Sequence, residues 1–454
     1  MLVLRNIGSV APEKAQKGAL CQIPHNVYYK NSTPFNSFFP SNLIGDLGYE
    51  VLSGEVDLSL SYSDISDKIR LSSFLDNFIK TGNVTDELKL LYSNYLDIPY
   101  GKYSNKFTGV KPSLFKEYIG GEFNLAYSSM DNFYKCPFKY YLSNVLNLNI
   151  YEDNFNAYIG SLFHYVLEKS LKENKNVDEL VSYFISNNDR VLNKKEEFYV
   201  SKIKEDIRFT LGVVKEQIEN SNLKNMLFED KVEVIKNGDI KVTFKGFIDK
   251  IVYEEKEGKM IVAIIDYKTG FTDINLGFVN EGLSMQLPVY LYLAKNSNKL
   301  YNVSFAGFYL QKVLSGLINI DKKKSYEDIK RENLLLYGYS NSDHDIIHEF
   351  DNTYKDSRFI KSMRLDSKGE FSRFSKILSD EKIDKLIEIT DKKIDEAIFK
   401  ISNASFDISP KKTEKELIGC KFCNFRDICF KENSDEVLIF EDKDLSFLGG
   451  DCDA

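Results

Sequence analysis

An α/β fold, a mixed β-sheet flanked by helices, is predicted by three observations. Helical periodicity governs residues 127 to 220, and the period shortens to that of strands between about 230 and 270. A helix and a further strand then follow. That order of helices, antiparallel meander, helix and strand indicates a sheet covered by helices.

The elements follow in chain order. The region 1–115 is heterogeneous: "TPFNSFFPSNLIGDLGYEV" is turn-rich, and "SDKIRLSSFLDNFIKTG" and "TDELKLLYSNYL" read as short helices with Asp or Thr starts. "YSSMDNFYKCPFKYYLSNVL" starts a helix with Ser128 or Ser129 as its N-cap, and "YIGSLFHYVLEKSLKE" is a second. Residues 178–220 are helical and strongly charged. "DKVEVI", "IKVTFKGFIDKIVYE" and "KMIVAIIDYKTG" are three consecutive strands, turned by "NG" and "EEKEGK". "SMQLPVYLYLAKN" returns to helix, "VSFAGFYLQK" to strand, and a long charged helix spans 380 to 400. Residues 436–454 read as a mobile acidic tail without a role.

Composition bounds the function. A chain of 454 residues, 43% hydrophobic and 28% charged, suits two or three soluble domains. No apolar run approaches the roughly 18 residues that span a membrane, and no signal peptide is evident, so a cytoplasmic protein is expected. The net charge of −8 argues against nucleic-acid binding by the surface as a whole, though a local basic channel is compatible with it. No G-x-x-x-x-G-K-[ST] loop occurs, so the chain performs no ATP chemistry of its own. Six cysteines are too few for a disulfide-stapled fold. Three of them, Cys420, Cys423 and Cys429, cluster in "GCKFCNFRDICF", which points to metal binding. Such sites take four ligands, no histidine follows, and the only later cysteine is Cys452.

The informative strand is "IVAIIDYKTG". Period two puts Asp266 and Lys268 on one face and turns Tyr267 away. One reading is a salt bridge at the sheet edge. The preceding strand adds Asp249 after "KGFI", within reach of the same edge, and two carboxylates beside a lysine suit a hard divalent cation. His164 has Gly160 and Glu168 on its own helical face, and Gln286 and Tyr290 are likewise four apart. A lone helical histidine is ordinarily structural.

The ordered series Gly160-x3-His164, Gly246-x2-Asp249, Asp266-x-Lys268-Thr269-Gly270 and Gln286-x3-Tyr290 resembles the nuclease domain of the RecB and AddB branch of the PD-(D/E)XK superfamily. The resemblance covers roughly residues 120 to 435. It implies a restriction-endonuclease-like core over 116–435 and, more weakly, a helicase-like remnant over 1–115. It implies hydrolysis of DNA phosphodiesters with Mg2+ or Mn2+ held by His164, Asp249, Asp266 and the backbone carbonyl of Tyr267. Lys268 would orient the nucleophile, Gln286 and Tyr290 would position Lys268 or the phosphate backbone, and Glu168 would back His164. In that branch a 4Fe-4S cluster takes one cysteine ahead of the core helices and three from the C-terminal end. Cys136 in "FYKCPFKYYL" matches the first, and Cys420, Cys423 and Cys429 match the others. The alternatives are a zinc site using Cys452, or Cys136 as a buried core residue. The implied partners are single-stranded DNA ends and an AddA-like helicase–nuclease subunit in double-strand-break repair. A CRISPR-adaptation nuclease shares these motifs. A non-catalytic DNA-binding subunit would lack the acidic pair, which is present here.

Overall fold

The structure, a computed structural model, describes residues 2–3, 28–29, 63–96, 100, 105–149, 154–270, 273–314 and 324–449. It divides into a small unit, residues 1–78 and 83–101, and a large unit, residues 79–82 and 102–454. In the small unit the two predicted helices form. α1 (Asp64–Thr81) carries Asp64 and Asp67 in its first turn, where the helix dipole favours them. α2 (Asp86–Asn94) is capped by Thr85, whose side chain accepts from the Leu88 N–H. Leu71, Leu88 and Leu91 are buried between them. The turn-rich segment expected between residues 33 and 51 lies outside the described residues.

The large unit is built on a seven-stranded mixed sheet. Chain order gives α3 (Pro112–Tyr118), β1 (Glu122–Ala126), α4 (Tyr127–Lys135), α5 (Pro137–Tyr140), α6 (Phe155–Glu173), α7 (Val177–Ser186) and α8 (Lys194–Glu219). The meander follows as β2 (Asn225–Lys236), β3 (Lys241–Lys256) and β4 (Lys259–Lys268), as predicted. Then come α9 (Gln286–Lys295), β5 (Val303–Lys312), α10 (Tyr326–Asn333), β6 (Leu336–Asn341), α11 (His344–Phe350), β7 (Ile377–Leu378) and α12 (Asp380–Ser402). The sheet runs β1-β3-β4-β5-β6-β7, with β2 also paired to β3. β4 and β5 are parallel neighbours at its centre.

β4 is apolar on both faces because each face supports its own core. Val262 and Ile264 pack with α4, α9 and α12, whereas Ile261, Ala263, Ile265 and Tyr267 pack with α6, α7, α8 and α11. A strand covered on both sides needs the continuous hydrophobic run seen here. Among the described residues, no helix is long and apolar enough to cross a membrane.

Two expectations are corrected. α4 starts at Tyr127 with Ala126 in the cap position, and Ser129 reaches back so that its hydroxyl accepts from the Ala126 N–H and donates to the Ala126 carbonyl. β1 occupies the residues before it, and its sheet pairing overrides the local preference for a serine cap. The C-terminal segment is also packed as far as Gly449. Val437–Leu438 pairs in parallel with Lys411–Lys412, Glu436 bridges Lys412 and Lys431, and Ile439 and Leu448 enter the core. Its apolar residues are few but spaced to dock, which its acidic composition concealed.

Gly246 has a steric reason. A Cβ there would stand 2.5 Å from Leu293 Cδ1, where β3 passes under the buried face of α9. Gly246→Ala is expected to destabilise the large unit by about 1–3 kcal/mol in urea unfolding, through overpacking.

Candidate active site

At the carboxyl end of β4, Asp266 and Lys268 share a face, as period two requires, and Tyr267 is buried in the opposite layer. Asp266 is 1% exposed, and Lys268 Nζ stands 2.5 Å from its Oδ2. Gln286, the first residue of α9, donates from Nε2 to Asp266 Oδ1 at 2.9 Å and to the Tyr290 hydroxyl at 3.1 Å. Gln286 and Tyr290 therefore hold the aspartate, and the hydrogen bonds of Gln286 go to Asp266 and Tyr290 rather than to Lys268.

Asp249 arrives from β3. The pairing of β3 with β4 stops at Lys250 opposite Ile265, and beyond it the Asp249 carboxylate accepts the Tyr267 N–H at 2.8 Å. Ile248 and Ile251 lie in the same core layer although three residues apart. The alternation of β3 thus slips at Asp249–Lys250, which turns Asp249 toward α6. His164 comes from α6 with its Nδ1 3.5 Å from Asp249 Oδ2. Gly160, one turn earlier, faces Thr269 at ordinary contact distance, so the helix lies against the turn after Lys268.

Glu229 is the residue that sequence reasoning missed. Its Oε1 is 3.1 Å from His164 Nδ1, the place expected for Glu168, whose carboxylate instead pairs with Lys172. Glu229 stands opposite Asp249 in the β2–β3 register, between the pairs Phe228–Lys250 and Asp230–Ile248. Continuing the β3–β4 register sets Asp249 opposite Asp266. Three carboxylates therefore occupy one cross-strand row. Like charges directly opposite one another destabilise a sheet. Glu229 also has φ of +47°, a left-handed backbone that costs a non-glycine residue about 1–3 kcal/mol and concentrates at functional sites.

The electrostatics match this crowding. Burial, reinforced by the Asp266 charge, pushes the Asp249 carboxyl up to about 7. Burial raises Asp266 as well, against the opposing pull of Lys268. Burial pulls His164 down, but the bond to Glu229 and the charges of Asp249, Glu229 and Asp266 carry it above its ordinary value. Asp266 Oδ2 is paired with the Lys268 ammonium, and the ligand atoms of His164, Glu229 and Asp249 all lie within 4.8 Å of one another. A hard divalent cation fits this set: oxygen donors, one imidazole, and three carboxylates with Lys268 as the one ammonium paired to them among the described residues.

The four cysteines also converge. Cys136 caps the end of α4 and is buried with Phe138, Leu142, Ile408 and Phe425, and Cys423 and Cys429 pack against that group. Burial raises the Cys136 thiol, while backbone N–H groups of Lys139, Ser409 and Phe138 favour its thiolate. Burial pushes Cys420 up to about 11, and the charges of Cys136, Cys423 and Cys429 add to it. All four are free thiols. Gly419 lies directly on the Lys135 carbonyl, where a Cβ would meet the oxygen at 2.5 Å, so the C-terminal loop seats on the end of α4. Cys21 and Cys452 lie outside the described residues.

The sequence profile of the PD-(D/E)XK nuclease superfamily matches residues 124–430. A curated relative, an ATP-dependent helicase/deoxyribonuclease subunit of Caldanaerobacter subterraneus subsp. tengcongensis, is 25% identical over 365 residues, 72% of this chain and 31% of the relative. The like-named protein of Carboxydothermus hydrogenoformans is 26% identical over 71% of this chain and 32% of its own. That of Clostridium perfringens (strain SM101) is 28% identical over 77% and 35%. The chain spans about a third of the length of these relatives. A solved structure, that of SSO0001, aligns at 14% identity over 70% of this chain and 92% of its own with a TM-score of 0.23, too slight a likeness to build on.

Proposed function

The chain belongs to the PD-(D/E)XK nuclease superfamily, and from that premise we propose that it is a metal-dependent deoxyribonuclease that digests single-stranded DNA ends. The cellular setting would be the cytoplasm, in end resection of double-strand breaks, with an AddA-like helicase–nuclease subunit supplying the strand. The observation that carries this reading is the cross-strand row Glu229–Asp249–Asp266 flanked by His164 and Lys268. An ion that binds these carboxylates would offset their repulsion.

Mg2+ or Mn2+ would be held by Asp249, Asp266, His164 and the Tyr267 carbonyl, with Glu229 as a further ligand or as the group that orients the imidazole. Bound there, the ion would lower the pKa of water and offset charge developing on the phosphate. Lys268 would orient the attacking water and neutralise a non-bridging oxygen. Gln286 and Tyr290 fix the Asp266 carboxylate, and Tyr267 donates its N–H to Asp249, so both carboxylates are oriented before substrate arrives.

Cys136, Cys420, Cys423 and Cys429 would hold a 4Fe-4S cluster. N–H donors on a thiolate and an apolar shell suit an iron–sulfur cluster.

Incubated with Mg2+ or Mn2+, the protein should shorten linear single strands from an end and leave circular single strands intact. Failure to cut any DNA with either ion would overturn the reading. Glu229→Gln is expected to weaken Mn2+ binding by about 10–100-fold in calorimetry. In EDTA the same variant should melt at or above the wild-type temperature, since one of three crowded charges is removed.

A further inference from the structure

In a chain of net charge −8, the segment 361–376 between β6 and β7 carries five basic residues and two acidic ones. Four of the basic groups lie against aromatic rings. Lys361 Nζ is 5.0 Å from the Tyr337 centroid, and Lys376 Nζ is 4.3 Å from Tyr337 and 5.3 Å from Tyr339. Arg373 and Arg364 lie 4.7 and 6.0 Å from Phe374, a ring 56% exposed. Ion pairs are common elsewhere on this protein, including Lys236 with two aspartates and Arg331 with Glu216. None of Lys361, Arg364, Lys368, Arg373 or Lys376 makes one with a described residue, and all but Lys376 are exposed.

The sheet register joins this strip to the metal ligands. Asp266 pairs across with Leu310 of β5, and Leu310 with Tyr337 of β6. At about 4.8 Å per strand, Tyr337 stands roughly 10 Å from Asp266 along the row that already holds Glu229 and Asp249. A bridge from Leu336 to Ile360 places Lys361 one step further out. Lys376 donates to the Tyr337 hydroxyl at 2.8 Å and to the Ile274 carbonyl at 3.5 Å, just past the turn that follows Lys268. Tyr337 and Tyr339 pack on the core layer of Ile264 and Leu310, the side on which Gln286 and Tyr290 hold Asp266.

Resting on the nuclease reading above, we propose that this strip is the track of a single polynucleotide strand leading to Asp266. Lys361, Arg364 and Arg373 would contact successive phosphates, and an unpaired base would stack on Phe374. An exposed ring bordered by guanidinium groups gives a stacking platform that is indifferent to base identity. Bases stacked within a duplex do not present their faces to it. The net acidity of the protein is then no obstacle, because the attractive field is confined to the approach to the site.

The test measures anisotropy of fluorescein-labelled oligothymidylate against the full chain in EDTA, over a range of salt. For the triple variant Lys361→Ala/Arg364→Ala/Arg373→Ala, the log–log salt slope should fall by about 2, at roughly 0.7 per lost single-strand phosphate contact. Phe374→Ala alone should weaken binding by about 5–100-fold. Both variants should keep wild-type melting temperature and Mn2+ affinity. Unchanged binding in both, or tighter binding of a duplex of the same length, would overturn the strip while leaving the nuclease reading intact. Binding that depends on the strip in a protein that cuts no DNA would instead overturn the nuclease reading and leave the strip standing.

Discussion

Asp266→Ala and Lys268→Ala are each expected to lower cleavage of single-stranded DNA by more than about a thousandfold, since a metal site supplies several kcal/mol of transition-state stabilisation at 1.4 kcal/mol per factor of ten. The two losses should have different origins, and the contacts say how to separate them. Asp266 is buried, with Gln286 on one oxygen and Lys268 near the other. Removing it deletes a ligand of the proposed ion and frees both partners, so Mn2+ affinity should fall together with activity. Lys268 is only half-buried and touches the ligand rather than the ion's other neighbours. Its removal should leave Mn2+ binding near wild type, or tighter, because the competing ammonium is gone. Oligothymidylate binding in EDTA should survive in both variants. Cleavage retained by either one would remove the mechanism.

The same row of carboxylates shows how far the sequence was legible. Period two in "IVAIIDYKTG" correctly placed Asp266, Lys268 and Tyr267, because a strand buried on both faces leaves no freedom of register. Asp249 was recognisable from the apolar run before it. Glu229 escaped because "LFEDKVEVI" has no apolar run ending on it, and a two-residue "NG" turn would set it opposite Gly246, whereas the chain turns over residues 237–241. Lys236 pairs with Val242, so positions equally far from the turn are opposed, and Glu229 falls opposite Asp249. Its left-handed backbone could not have been read, since glutamate has no local preference for that conformation. β1, β6 and β7 were not anticipated either. Each is six residues or fewer, and β1 is held by parallel pairing to β3, more than a hundred residues away. Glu168 was a reasonable partner for His164 by helical spacing, but Lys172 claims it on the same helix face.

Cys136→Ser should have the largest effect on stability. The proposed cluster would link Cys136 to the C-terminal cysteines and close a loop of nearly the whole large unit, and the gain from closure rises slowly with length. Taking covalent cross-links as the scale, about 2–5 kcal/mol should be lost, lowering the melting temperature by roughly 3–7 °C. Without the clamp, the segment after α12 retains Gly419 against Lys135, the short ladder at Val437–Leu438, and buried Ile439 and Leu448. Limited proteolysis should therefore cut the variant between residues 412 and 436 before it cuts the sheet. Activity should suffer too, because α4 connects the two sites. Its last residue precedes Cys136, while its first, Tyr127, is raised above its usual range by burial and by the charges of Asp131 and Asp266. A helix of nine residues spans about 13 Å, so loosening one end tilts the wall beside the other. Anaerobically purified wild type should be brown, with iron and sulfide in fourfold amounts, and the variant should lose the colour. A colourless wild type containing one zinc, with Cys136→Ser melting alongside it, would show that the clamp is absent.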